Sequence, residues 1–384
     1  MLQPLNDYHS KKIGVMNIIN IDTAYNLVKD KKCIIVTGVS GQDGSHMVDY
    51  LLKNTSDYII FGGVRRLSVL NHNNISHIED SRFHLINFDL TDNYTINRIV
   101  EKLKPEYFIN FAAQSFVGSS WDFANQTFLT NTNSVLNILE AIRLYHPACK
   151  FYQAGSSEEF GDVIYSPQDE NHPLRPRSPY GASKAASRHL VKVWRESYNL
   201  YAVQGWLFNH EGIRRGEEFV TRKITTNVAR IKKSLDKKEN FKPLSLGNLD
   251  SIRDWSDAED FCDGVWKMLN QSKPKDYVLS SNETHSVREF VELAFKYAGV
   301  DGYWVILENY PLSEKFVKNG SNEVLVVISP ELYRPAEVDS LQGNSSLART
   351  ELNWSPKISF NSLVKKMIMR DLYGTVKFDE LDYS

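Results

Sequence analysis

The stretch CIIVTGVSGQDGSHMVDYLL, Cys33 to Leu52, restricts the fold more than any other part of the chain. A β-branched apolar run enters a glycine-rich turn, and Met47, Leu51 and Leu52 then follow at helical spacing. That order is the opening strand, turn and helix of a doubly wound sheet. Gly38, Gly41 and Gly44 form the pattern GxxGxxG. Their missing side chains permit a tight turn and let a pyrophosphate approach the helix N-terminus. Three glycines would also suit an ordinary βα turn; the strand before them and the helix after them favour a dinucleotide site.

Further apolar segments follow at DYIIFGGVRR, RFHLINFDL, EYFINFAAQS and CKFYQAGSSEE, with helical patterns between them, notably over residues 131–145. Repeated alternation of this kind predicts an α/β fold with a Rossmann-like, doubly wound, mainly parallel sheet. Ligands of open α/β sheets bind beyond the carboxyl ends of the strands. The second strand ends in Arg65 and Arg66, where an NAD-preferring chain commonly offers an acid to the adenosine ribose. Guanidinium groups there suit a 2′-phosphate and predict NADP, although a solvated basic turn would look the same. Asp89 after the third strand suits either the adenine side or the start of a turn.

A chain of 384 residues with formal net charge −2 has no global basic field to attract nucleic acid or an anionic membrane. No run approaches the ~18 apolar residues of a transmembrane helix. Cys33, Cys149 and Cys262 are widely spaced, without a CxxC metal pattern or a disulfide framework. The expectation is a cytoplasmic protein that holds no metal.

Tyr180 and Lys184 stand as YxxxK in PRSPYGASK. If a helix begins near Ser178 or Pro179, both side chains share one face. A lysine there lowers the tyrosine pKa, and tyrosinate can take a proton from a sugar hydroxyl while hydride leaves the same carbon. Ser156, following the fifth predicted strand, can reach the same oxygen. Glu158 and Glu159 add two adjacent carboxylates that oxidation alone does not need.

At this point the chain resembles the extended short-chain dehydrogenase/reductase superfamily and, within it, the GDP-mannose 4,6-dehydratases, over residues 33–373. The segments carrying the likeness are TGVSGQDGSHMVDYLL, GGVRRLSVLNHNNISHI, NFAAQSFV, YQAGSSEEFG, PRSPYGASK, WLFNHEGIRRGEEFVTRKI, LGNLDSIRDW and RPAEV, in that order. The resemblance implies dehydration of GDP-mannose to GDP-4-keto-6-deoxymannose. Oxidation at C4 acidifies C5–H, a carboxylate removes that proton, the C6 hydroxyl departs, and hydride returns to C6. Alternatives are the same dehydration of another GDP-hexose or GDP-heptose, epimerisation, or nucleotide-sugar binding without catalysis.

The same resemblance implies roles by residue. Ser156 stands where a threonine is usual, Glu158 matches the dehydratase glutamate, and Tyr180 and Lys184 are the hydride-transfer pair. Ser157 stands where related dTDP-glucose dehydratases have an aspartic acid, leaving Glu158 to serve as both base and acid. Cofactor contacts map onto Gly38, Gly41, Gln42, Asp43, Gly44, Arg65, Arg66, Asp89, Leu90, Ala112, Ala113, Gln114, Ser115, Tyr180, Lys184, His210 and Arg215. Substrate contacts map onto Ser156, Glu158, Tyr180, Asn209, Lys223, Arg253, Arg334 and Glu337. Phe116 departs from a usual histidine, and Gln126 from a frequent cofactor-facing tyrosine. The loop over 65–78 resembles one that reaches a neighbouring subunit, implying a dimer or tetramer. The expected organisation is an extension over 1–30, an NADP-binding domain over 31–205, a smaller interleaved nucleotide-sugar-binding region over 206–375 that can return to the first domain, and a tail over 376–384.

Overall fold

The computed structural model describes residues 18–66, 72–306, 314–332, 340–376 and 381. The chain runs β1 (Ile18–Ile19), α1 (Ile21–Leu27), β2 (Lys32–Thr37), α2 (Gln42–Asn54), β3 (Tyr58–Val64), β4 (Phe83–Asn87), α3 (Asn93–Leu103), β5 (Tyr107–Asn110), α4 (Ala124–Phe128), α5 (Ser134–Tyr145), β6 (Lys150–Ala154), α6 (Pro179–Tyr198) and β7 (Ala202–Leu207). It continues through β8 (Asn209–Glu211), α7 (Val220–Lys237), β9 (Leu244–Leu246), β10 (Ile252–Arg253), β11 (Trp255–Asp257), α8 (Ala258–Leu269), β12 (Val278–Leu279), β13 (His285–Ser286) and α9 (Val287–Tyr297). Last come β14 (Gly302–Val305), β15 (Lys315–Lys318), β16 (Val324–Ile328), β17 (Ser340–Leu341), α10 (Ser346–Glu351) and α11 (Phe360–Tyr373).

An eight-stranded sheet in the order β1-β4-β3-β2-β5-β6-β7-β12 organises the molecule. Every neighbouring pair in it is parallel. Helices cover both faces, so the central strands are apolar throughout rather than alternating; β7 is buried at every position. One face packs Ile34, Val36, Met47 and Leu51 against Phe261 and Trp354, and the other packs Ile35, Phe61 and Phe108 against α3 and α5 residues such as Ile99 and Leu139. The expected doubly wound α/β fold is what the chain adopts.

The strand order reverses between β2, paired on one side with β3, and β5, paired on the other. This switch point leaves a crevice beyond the carboxyl ends of both strands. The turns that follow them are in contact: a Cβ on Gly38, whose φ is 70°, would lie 2.8 Å from the Ala112 nitrogen. Glycine is required there on both counts.

Part of the stretch read as an N-terminal extension belongs to this sheet. Asn20 caps α1 by accepting the Thr23 N–H at 2.8 Å, β1 pairs with β4, and Ala24 is fully buried. The two-residue strand gave no readable period, which hid it in the sequence. Later parts of the chain also return to this layer: β12 pairs with β7, α8 packs on α2, and Trp354 buries its ring while donating Nε1–H to Asp260 O at 2.9 Å. A second core lies among α7, α9, α11 and the four-stranded sheet β14-β15-β16-β9.

Candidate active site

The polypeptide leaves β6 at Ala154, passes Gly155, and turns at Ser156 into a short 3-10 segment over Ser157–Glu159. Ser156 and Glu159 cap that segment reciprocally. Ser156 Oγ accepts the Glu158 N–H at 3.2 Å, and Glu159 Oε1 accepts the Ser156 N–H at 2.8 Å. This capping box removes orphan donors at a segment too short to stabilise itself. It also fixes the direction in which Ser156 and half-buried Glu158 leave the sheet.

Helix α6 brings the other two side chains. Ser178 Oγ accepts the Gly181 N–H at 3.0 Å, Pro179 occupies the first turn, and Tyr180 and Lys184 follow one turn apart. Gly181 lets the helix press against the 3-10 segment, since a Cβ there would lie 2.5 Å from the Glu158 carbonyl oxygen. The Ser156 hydroxyl lies near enough to the Tyr180 phenol to favour its ionised form. Lys184 Nζ donates to Ala154 O at 2.9 Å and stands 5.8 Å from the centre of the Tyr180 ring. Ser156, Glu158, Tyr180 and Lys184 therefore converge beyond the carboxyl end of β6.

Burial pushes the Tyr180 phenol well above its ordinary value; the Ser156 hydroxyl opposes this, Glu158 and Glu159 reinforce it, and Arg215 opposes it. Burial lowers Lys184 to about 8, with Glu159 and Asp43 opposing the fall and Arg188 adding to it. The expectation that Lys184 lowers the tyrosine pKa is therefore not met: burial outweighs the groups that favour the phenolate and leaves the Tyr180 phenol raised.

The glycine turn makes a cradle. Gly41 caps α2 without a side-chain hydrogen bond, and a Cβ on Gly44 would collide with the Gly38 carbonyl. The turn can therefore close this tightly only with glycine at Gly44, which leaves the first amides of α2 as the groups that would hold a diphosphate. Arg65 and Arg66 are exposed at the end of β3. The Asp89 carboxylate is occupied locally, accepting Thr91 N–H at 2.8 Å and Thr91 Oγ1–H at 2.7 Å. Leu90 buries its side chain in the core, which leaves its backbone as the part that can face a ligand.

Beyond β5, Ala112 N–H donates to Thr37 Oγ1 at 3.3 Å, Ala113 and Gln114 are half-buried, and Ser115 is exposed. Asn131, in a π-turn over Leu129–Asn133, accepts the Gln114 N–H at 2.9 Å and donates to Ser183 Oγ at 3.1 Å. It ties this loop to α6. Asp43 Oδ2 meets His210 Nε2 at 3.0 Å, and Gln42 Nε2 donates to His210 O at 2.9 Å. Arg215 pairs with Glu211 at 3.0 Å and stacks 3.5 Å from the Phe219 ring centre.

On the sugar side, Asn209 in β8 keeps Oδ1 buried without a hydrogen bond among the described residues. Lys223 lies on α7, where burial lowers its pKa. Arg253 lies in β10 and donates from Nη1 to Ile252 O at 2.8 Å. Arg334 and Glu337 lie outside the described residues, as does Leu70 of the 65–78 loop. Phe116 packs edge-on against Phe219 at 6.0 Å. Gln126 is exposed on α4, bonded to Thr130 at 3.2 Å. No cluster able to hold a metal occurs among the described residues, and no helix among them is long and apolar enough to cross a membrane.

Sequence reading did not find Asn131 or the partner of Glu159. Glu159 is fully buried against Arg188 of α6. The S-x-x-E spacing of Ser156 and Glu159 is a capping-box signal that could have identified it as structural. No local pattern marks Arg188.

The family model described as GDP-mannose 4,6 dehydratase matches residues 35–367. A GDP-mannose 4,6 dehydratase of Drosophila melanogaster is 43% identical over 350 residues, covering 89% of this chain and 86% of the relative. Among solved structures, the Streptomyces venezuelae dTDP-glucose 4,6-dehydratase DesIV, with NAD and TYD bound, aligns with TM-score 0.73 at 21% identity, covering 89% of this chain and 98% of its own. RMD from Pseudomonas aeruginosa, complexed with NADPH, aligns with TM-score 0.69 at 20% identity, covering 89% and 99%. The two structures support the fold.

Proposed function

We infer the activity from the family: this chain belongs to the GDP-mannose 4,6 dehydratase family, and it is a lyase that converts GDP-mannose to GDP-4-keto-6-deoxymannose and water with a nicotinamide cofactor. The observation that carries the assignment of roles is the convergence of Ser156, Glu158, Tyr180 and Lys184 beyond β6. The bound nicotinamide supplies the hydride chemistry, taking hydride lost from C4 and returning it at C6.

To take the proton of the C4 hydroxyl beside Ser156, Tyr180 must act as phenolate, a form that its burial opposes. The Lys184 ammonium favours that phenolate by its charge. Once C4 is a ketone, the C5 proton is acidic, and Glu158 removes it. The carboxylic acid so formed protonates the departing C6 hydroxyl, which leaves as water. Hydride return at C6 must be matched by a proton at C5, which balances the one Tyr180 took from the C4 hydroxyl, so Glu158 and Tyr180 are both restored within one turnover and the cofactor needs no external partner.

NADP is favoured over NAD by the exposed pair Arg65 and Arg66 at the end of β3, whose guanidinium groups suit a 2′-phosphate. The cradle for the diphosphate is formed by Gly38, Gly41, Gln42, Asp43 and Gly44, with Asp43 reaching His210 as well. Asn209, Lys223 and Arg253 are proposed to meet the GDP-sugar. Self-association as a dimer or tetramer is supported by exposed Phe128, Leu129, Leu144, Val193 and Tyr198 on α4, α5, α6 and the π-turn, elements that pack side by side. A cytoplasmic setting suits the three free, buried cysteines.

GDP-mannose deuterated at C4 tests the scheme. The product should be lighter by about 18 mass units, one water, and should carry the label at C6. Retention of the label at C4, or its appearance in bulk cofactor, rules the scheme out.

A further inference from the structure

We propose that Glu159 and Arg188 are positioning residues for this site: the pair fixes the turn that carries Ser156 and Glu158, and the Glu159 carboxylate supplies the counter-charge for the Lys184 ammonium. This inference rests on the functional reading above, but the pair has no part in the proton transfers described there.

Glu159 is fully buried and the Arg188 side chain is only 5% exposed. Burying two charges is costly unless every atom is satisfied, and a well-packed apolar pair would hold a fold at least as well. Here the atoms are satisfied by the site itself. Glu159 Oε1 accepts from Ser156 N–H at 2.8 Å and Gln204 Nε2 at 3.1 Å, while Oε2 accepts from Arg188 Nε. Arg188 donates to Gln204 O at 2.8 Å and Gly205 O at 3.2 Å, and its guanidinium lies 3.4 Å from the Trp206 ring centre. Asp276 stands 3.6 Å from its Nη1.

The pair runs directly beneath Gly155. A Cβ on that residue would lie 2.7 Å from both Arg188 Nη2 and Glu159 Oε1. Gly155 separates Ala154, whose carbonyl holds Lys184 Nζ, from Ser156, whose N–H is held by Glu159. One buried carboxylate therefore sets the height of both. Gln204 Nε2 closes the circuit, donating to Glu159 and, at 3.3 Å, to the Lys184 carbonyl.

The charged groups that face Lys184 are Glu159 from the 3-10 segment, Asp43 from α2 and Arg188 from its own helix, with Tyr180 one turn earlier. Glu159 and Asp43 favour the ammonium; Arg188 opposes it. Glu159→Gln leaves Arg188 uncompensated, so Lys184 must lose its proton at lower pH.

The test uses the cofactor-loaded enzyme with carbon-13 at the lysine ε-position, and Lys184→Arg to assign the signal. In Glu159→Gln the Lys184 titration midpoint should fall by about one unit, and the alkaline limb of kcat/KM for GDP-mannose should move down with it. The kcat should drop about tenfold or more while KM changes little, because the amide that replaces the carboxylate holds the Ser156 N–H and the Arg188 guanidinium more weakly. Glu159→Asp, which keeps the charge, should restore the midpoint. Should Glu159→Gln fail to fold, Glu159→Leu with Arg188→Leu removes both charges, leaves none unpaired, and should show a smaller shift in the same direction. An unchanged Lys184 midpoint in a folded variant lacking the Glu159 charge overturns the proposal. A wild-type enzyme with the expected titration that fails to dehydrate GDP-mannose overturns instead the functional reading, because the titration needs no substrate.

Discussion

Asp43, in the first turn of α2, and His210, in β8, join their side chains at 3.0 Å across 167 residues of sequence. The bond locks the helix of the diphosphate cradle to the strand that carries Asn209. Burial lowers His210, but the Asp43 charge and hydrogen bond outweigh it and leave the imidazole above its ordinary value. Burial raises Asp43, yet His210, Arg215 and Gln42 hold it well below the usual carboxylate range.

The pH dependence of that joint follows from these directions. The His210 contribution to stability is complete below about pH 6.5, the unfolded value, and is lost as pH rises through the higher folded value. The Asp43 contribution is present above about pH 3.9 and is lost only in stronger acid. His210→Asn should destabilise the protein by about 1–3 kcal/mol at pH 6. Thermal unfolding of both proteins should show that gap narrowing toward alkaline pH; a gap that widens would contradict the assignment.

Tyr180→Phe removes the oxygen that takes the C4 hydroxyl proton. The kcat should fall by about 10²-fold or more, with GDP-mannose binding largely preserved. Single-turnover absorbance of the reduced nicotinamide should show the loss in the first oxidation. Near-normal formation of reduced cofactor would remove Tyr180 from that role.

Glu158→Gln should act later. The C4 oxidation should survive, while exchange of the C5 proton with deuterated water and loss of the C6 hydroxyl should both drop by roughly 10²-fold. Mass spectrometry of recovered nucleotide sugar separates the two steps. Wild-type exchange at C5 would place the base elsewhere.

Arg65→Ala with Arg66→Ala removes both guanidinium groups at the end of β3. Each charge-assisted hydrogen bond to a phosphate is worth about 1.5–3 kcal/mol, so NADP affinity should weaken by about tenfold or more. Affinity for NAD should change little. Calorimetric titration with both cofactors decides the matter, and an equal loss for both would show that these residues do not read the 2′-phosphate.

The local chemistry of the site was readable because it lies in short, regular patterns. Gly38, Gly41 and Gly44 follow a β-branched run, and Tyr180 and Lys184 stand one helical turn apart after Ser178 and Pro179. Each pattern is set by backbone geometry over a few residues, and the alternation of such units fixes a doubly wound parallel sheet. The edge strand Ile18–Ile19 was hidden because two residues carry no period.

What the sequence determined by itself was therefore the doubly wound sheet and the carboxyl edge at which such sheets bind ligands. Only the tertiary structure decided that Glu158 is half-buried while its neighbour Glu159 is fully buried against Arg188, and that Asp43 is shared with His210. The reason is burial. A charge removed from water takes whichever partner the packing brings within reach, and that partner, 29 residues away for Glu159 and 167 for Asp43, leaves no mark in local spacing.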